Sequence, residues 1–213
     1  MTQSYVHHVI STEPRQWQAV ADTLRVTGAA RIQKQGGSLF GVWRSQIGRP
    51  RDELTAITVW EGGAPNQGAL VEETAHIKHA VHAIMVPTLR PSSSDAPRRQ
   101  GNYAFRSFET PAENWDEFLD LCAGAWPGFE SSYDSQVIGL WRFTEDDGAI
   151  RRSLLLTRRP NLAMWERSKI PDGDAETEVR RKLSRRYDLC DATGVYTTTL
   201  LTADDAQDTV RWT

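Results

Sequence analysis

The chain has 213 residues, 39% hydrophobic and 25% charged, with a net charge of −3. This is the composition of a folded globular protein, long enough for one large domain or two of about 100 residues. Its mild acidity gives no field to gather nucleic acid, and no apolar run approaches the roughly 20 residues that span a bilayer.

Eight tryptophans, each burying on the order of 150–250 Å², supply core material. Cys122 and Cys190 are too few for a disulfide framework and suit a reducing cytoplasm. The opening MTQSYVHHVISTEP has neither the basic nor the apolar region of a secretion signal. The expectation is a cytoplasmic protein with no nucleic-acid or membrane partner.

In chain order, residues 5–10 read as a short strand, after which Trp17, Val20, Ala21 and Leu24 recur on one helical face. SLFGVWRSQ and LTAITVWE read as strands joined by the turn-rich IGRPRD. A helix is predicted from about Asn66 to Ala80 and a strand from about Ile84 to Leu89. The order is βαββαβ, that of a ferredoxin-like unit. PSSSDAPRRQG, residues 91–101, is a linker by composition.

The same text then recurs. A shift of 98 residues brings Tyr5, Thr12, Trp17, Asp22, Gly41, Trp43 and Arg44 onto Tyr103, Thr110, Trp115, Asp120, Gly139, Trp141 and Arg142 without a gap. Trp115, Phe118, Leu119 and Cys122 repeat the helical face. Near the end the shift becomes 111, setting AIMVPTLR (83–90) against GVYTTTLL (194–201) and implying about 13 inserted residues around IPDGDAETEVRRKLSRR. In the 98-residue register Trp60 meets Arg158. The division is a first repeat over 1–90, the linker, and a second repeat over 102–213. The fold class is α+β: tandem ferredoxin-like βαββαβ units packed sheet to sheet as an intramolecular, pseudo-dimeric α/β barrel, because two bare sheet faces would otherwise be a large apolar surface.

The GVWR strand, the following strand ending in VWE, PTLRPS (87–92) and MWERSK (164–169) resemble NIPSNAP-type proteins of the dimeric α/β-barrel superfamily. The resemblance spans both halves, and the chain departs from the two-subunit arrangement by carrying both units covalently. The superfamily includes cofactor-independent monooxygenases, isomerases and haem enzymes. NIPSNAP-type members have no common reaction, so the resemblance informs fold more than function.

Gly41 with Trp43, and Gly139 with Trp141, alternate to one strand face, either lining a pocket or filling a core. On this alternation Leu39 shares their face, and Phe40, Val42 and Arg44 take the other. Arg44 and Arg142, with Arg106 and Arg90, are candidates to clamp a carboxylate or enolate, or to form rim salt bridges. Tyr5 and Tyr103 join the candidate ligand-binding set, and Glu61 or His8 is the available general base. On the predicted helix Glu72, His76 and His79 share a face that could hold a metal, and His7, His8 or His76 could hold haem. No motif for either group is present, so neither a metal nor a cofactor is assigned. EVRRKLSRR (178–186) reads as an amphipathic helix with Val179, Leu183 and Tyr187 inside and its arginines in solvent.

These expectations converge on a small-molecule-binding α/β barrel for a hydrophobic or acidic ligand. It would be a cofactor-independent oxygenase- or isomerase-like enzyme, or else a non-catalytic scaffold, with a haem or metal oxidoreductase third. A homo-oligomer is compatible with it.

Overall fold

The computed structural model describes residues 3–146 and 148–204. It is an α+β protein with eight strands, paired antiparallel wherever a register is defined. The chain forms two compact units. Unit 1 holds residues 3–86, 93–100 and 197–204, and unit 2 holds Pro87–Ser92 and 101–196.

In unit 1, β1 (Gln3–Thr12) lies between β3 (Glu53–Glu61) and β4 (Ile77–Arg90), and β2 (Gly37–Ile47) pairs with β3. The order β4–β1–β3–β2 is ferredoxin-like, and the end of β8 (Ala192–Leu200) adds to β2. One face is covered by α1 (Trp17–Thr23), a π-helical turn (Leu24–Gly28) and α2 (Ala29–Lys34). Trp17, Val20, Leu24 and Ile32 pack there on Val6, Ile10, Val42, Leu54 and Trp60. These positions alternate along each strand, so the period-two and period-3.6 patterns meet face to face.

The predicted second helix of this unit does not form. Residues 67–73 run as turns in which the Asn66 side chain accepts from the Gly68 amide at 3.0 Å, and β4 begins at Ile77. The β-branched Ile77, Val81 and Ile84 favour the pleated surface, and β1 offers them partners from Thr12 to Val6. The helical arrangement of Glu72, His76 and His79 goes with it.

Unit 2 repeats the plan: β5 (Asn102–Pro111) pairs with β7 (Ile150–Arg159), which pairs with β6 (Gln136–Phe143). Ala192–Tyr196 of β8 lies beside β5, and the end of β4 beside β6, where the Thr88 hydroxyl donates to the Leu140 carbonyl at 2.8 Å. α3 (Trp115–Ser132) buries Phe118, Cys122, Trp126 and Phe129 against Phe108, Leu140 and Leu155.

The repetition extends to irregularities. β2 bulges between Leu39 and Gly41, and β6 bulges between Val137 and Gly139, at the equivalent place. Each bulge breaks the alternation. Leu39 therefore packs on the helix side, while Phe40 turns edge-on to Tyr5 at 5.6 Å on the other face. The pairing also corrects the alignment of the third strand: Ser4 faces Trp60 where Asn102 faces Arg159, so Trp60 corresponds to Arg159 and not to Arg158.

The units differ between their last two strands. Where unit 1 has turns, unit 2 carries α4 (Leu162–Arg167) and α5 (Gly173–Asp188). Arg167 forks onto Glu176 with two hydrogen bonds of 2.9 Å, and the Tyr133 hydroxyl donates to the same carboxylate at 3.1 Å. α5 lies close on α3 because Gly128 is bare: a β-carbon there would stand 2.6 Å from the Val179 side chain. The inserted segment is what builds the site described next.

Candidate functional site

The G-x-W pairs have a packing explanation. A β-carbon on Gly41 would overlap the Trp43 indole, and one on Gly139 would overlap Trp141. Both indoles are fully buried on the sheet face away from their own helices, and Tyr5 and Tyr103 are fully buried too. Burial pushes the Tyr5 hydroxyl up to about 12, where it donates to Gln3 at 3.3 Å.

The equivalent arginines part company. Arg44 lies 3.8 Å above the Trp17 ring on the helix side, whereas Arg142 pairs with Asp146 at 2.9 Å, a carboxylate shared with Arg151. Arg90 forks onto Glu130 at 2.7 and 3.2 Å. The structure therefore does not bring these three together as a clamp.

His8 is buried under the helices of unit 1. Its Nδ1 meets Nδ1 of His82 at 2.8 Å and its Nε2 meets the Thr58 hydroxyl at 3.1 Å, while the Trp60 indole donates to that hydroxyl at 2.8 Å. Burial first, then the neighbouring His82 and His7, holds His8 well below the usual imidazole value. Glu61 stands exposed at the far end of β3, opposite Gln3, five strand positions from His8. At about 3.4 Å per position that is about 17 Å. His76 is exposed and pairs with Glu13 at 2.9 Å. Among the described residues no three His, Cys, Asp or Glu side chains converge as metal ligands.

A cleft opens on the helix side of unit 2, with about 510 Å³ of space counting its mouth. Trp126 and Phe129 of α3, Val137 of β6, Leu155 of β7 and Leu183 of α5 make its apolar wall. Into it come Arg106 from β5, Arg159 from β7, Arg180 and Arg186 from α5, and Lys169 from the turn after α4. No aspartate or glutamate lines it, and among the described residues none of these five cations has a carboxylate within 4.0 Å.

Each arginine is held by softer contacts. Arg106 donates to the Tyr187 hydroxyl. Arg159, 5% exposed, donates to Thr157 at 3.1 Å and lies 4.9 Å from the Phe129 ring. Arg186, 3% exposed, lies 4.8 Å from Phe108 and donates to the Cys122 sulfur at 3.5 Å. The Nε groups of Arg159 and Arg186 are buried without a partner among the described residues. Burial, then repulsion from Arg186, Arg159 and Arg180, draws Arg106 down to about 9, and burial draws Arg159 to about 10.

Of the residues read from the sequence as ligand-binding, Arg106 alone lines this cleft. Arg159, Lys169 and Arg186 were missed. Arg186 sits in the run read as a solvated face, yet it is buried, because it lies seven residues, about two turns, beyond Val179 on the face turned to Phe118. The available signal was the repeat itself, since His8 and Trp60 are replaced at equivalent places by Arg106 and Arg159.

No family model and no curated protein matches this chain. Solved structures do match over almost its whole length. An anthrone oxidase-like protein is 14% identical with a TM-score of 0.63, covering 94% of this chain and 92% of that one. A provisionally named monooxygenase from Lactobacillus acidophilus is 10% identical with a TM-score of 0.60, covering 95% and 98%. An uncharacterised ferredoxin-fold protein related to antibiotic biosynthesis monooxygenases, from Listeria monocytogenes, is 12% identical with a TM-score of 0.53, covering 94% and 95%. The chain therefore shares the fold of these structures, and the strand order within its units is ferredoxin-like.

Proposed function

We propose that the unit 2 cleft binds a small organic anion with an apolar body, and that the chain is an oxygenase- or isomerase-like enzyme acting on it without a cofactor. One observation carries the reading: Arg106, Arg159 and Arg186 line an apolar-walled cleft with no carboxylate to pair with among the described residues. Buried unpaired cations are unfavourable, and an entering anion relieves both their desolvation and their mutual repulsion. Planar guanidiniums present paired donors to a carboxylate or enolate. In a mechanism of this class they stabilise charge developing on an enolate oxygen while the apolar wall excludes water. The fold neighbours, two of which carry oxidase or monooxygenase names, support the oxygenase-like part.

This reading places the site in the second repeat, taking the repeats as 1–90 and 102–213 joined by 91–101. Arg106 keeps the ligand role read from the sequence. Trp43, Trp141, Tyr5 and Tyr103 are read as packing, and Arg44 and Arg142 as partners of Trp17 and Asp146. Glu61, in solvent, and His8, with both ring nitrogens engaged, receive no catalytic step.

The test is a thermal-shift and calorimetric comparison of phenylacetate and 4-phenylbutyrate with their neutral amides. Binding of the acids alone, weakened at least tenfold in Arg106→Met, is the expected result. Equal response to the amides, or full binding by an Arg106→Met/Arg159→Met double variant, would sink the assignment.

A further inference from the structure

Lys169 is chemically unlike the other lysines of this chain. The chain has only four, at 34, 78, 169 and 182. Lys34 and Lys78 are exposed, and Lys182 is engaged by Glu178 at 3.7 Å and the Gly124 carbonyl at 3.1 Å. Lys169 enters the cleft instead. It is placed there by a short turn in which its amide donates to the Glu166 carbonyl at 2.9 Å and the buried Ser168 hydroxyl donates to the Trp165 carbonyl at 2.8 Å. Its Nζ lies 4.7 Å from the Trp165 ring, and among the described residues no carboxylate stands within 4.0 Å to hold it as an ammonium. A partly buried lysine beside an indole, sharing its cleft with four guanidiniums, is in a setting that activates an amine.

Resting on the anion reading above, we propose that Lys169 is a carbonyl-reactive amine and that the ligand class is a carbonyl-bearing organic anion such as a 2-oxo acid. The carboxylate docks on Arg106 and Arg159, which brings the adjacent carbonyl carbon within the same cleft as Nζ. The Nζ lone pair attacks that carbon and a C–N bond forms. The carbonyl C–O bond breaks, and the oxygen leaves as water with two protons that began on the ammonium group. Ammonium plus carbonyl thus gives a protonated imine plus water, with no oxidant, reductant or cofactor consumed. The cationic imine acidifies the neighbouring C–H, which is the chemistry an isomerase-like step requires. Burial, followed by Arg106, Arg159, Arg180 and Arg186, lowers the Lys169 amine to about 8. Roughly a tenth of it is then free base at pH 7, against fewer than about one in a thousand for an ordinary lysine.

Phenylpyruvate with sodium cyanoborohydride is the probe, read by intact mass and peptide mapping. One reduced adduct per chain at Lys169, absent from Lys169→Arg and Lys169→Met and formed at least tenfold more slowly in Arg106→Met, is the expected result. Phenylacetaldehyde, which lacks the carboxylate, reacts at least tenfold more slowly. Adducts spread over all four lysines in order of exposure overturn the proposal. Binding of phenylacetate without any adduct from phenylpyruvate overturns it alone and leaves the anion site standing. Failure of both acids to bind overturns the two together.

Discussion

Arg106 stands in β5 where His8 stands in β1. Each faces the helices of its own unit, opposite Leu155 and Ala56 respectively, and each lies near a threonine of the paired strand, Thr157 or Thr58. In unit 1 that threonine accepts from Trp60 at 2.8 Å, and in unit 2 its counterpart accepts from Arg159 at 3.1 Å. One framework has therefore been furnished twice. Unit 1 is closed by an indole and two imidazoles, and unit 2 is left open and lined with cations.

Because the cleft cations have no carboxylate partner among the described residues, replacing one should make the ligand-free protein no less stable. Arg106→Met removes a half-buried charge that three other arginines repel. Its urea midpoint is expected to match or exceed the wild type, by up to about 1 kcal/mol, while anion affinity falls. A loss of more than about 2 kcal/mol without ligand would show that Arg106 is a structural member of the unit.

Acid should act on unit 1. Burial, then the charge of Arg49, holds His7 down to about 4, and burial with neighbouring imidazoles lowers His8 and His82. The unfolded chain binds protons near pH 6.5 that the folded chain refuses, so this stability is complete above pH 6.5 and drains away as pH falls towards 4. For His7 alone the loss is at most on the order of 3 kcal/mol. Urea denaturation at pH 7.5 and 4.5 reads it. His8→Gln, which cannot titrate, should lose less stability between the two pH values, and a parallel fall in both proteins would refute the assignment.

The fold was more legible than the site, for a physical reason. Strand and helix periodicities report burial, and the repeated Tyr and Gly-x-Trp positions are buried alike in both units, so the strand order could be read largely from one line of text. The 66–80 segment misled because its sequence carries no local mark of where turns give way to a strand, and only the pairing of β4 with β1 decides it. The cleft was hidden because its cations come from β5, β7, the turn after α4 and α5. Within EVRRKLSRR the spacing from Val179 sets Arg186 on the inner face and leaves Arg185 outside, paired with Glu117 at 2.9 Å, but a run of arginines reads as a solvated face until the partner elements are known. Arg106 entered the candidate set only as a further arginine beside Arg44 and Arg142, able to join them in holding an anion.

The Gly-x-Trp repeat makes a prediction that separates packing from ligand binding. The Trp43 and Trp141 indoles occupy the space that β-carbons on Gly41 and Gly139 would need. Since both indoles are fully buried, neither can swing away without disturbing the sheet. Gly41→Ala and Gly139→Ala should each cost about 1–3 kcal/mol by urea denaturation, the range of an overpacked core. Trp43→Leu in the Gly41→Ala background supplies the control. It removes the ring that the new methyl strikes, so the double variant should be more stable than the sum of the two single losses predicts, by at least about 1 kcal/mol. Strict additivity would mean that the glycine answers to something other than its tryptophan. Anion binding in the cleft should stay within twofold of wild type in Gly41→Ala, because the glycine belongs to unit 1 and the cleft to unit 2.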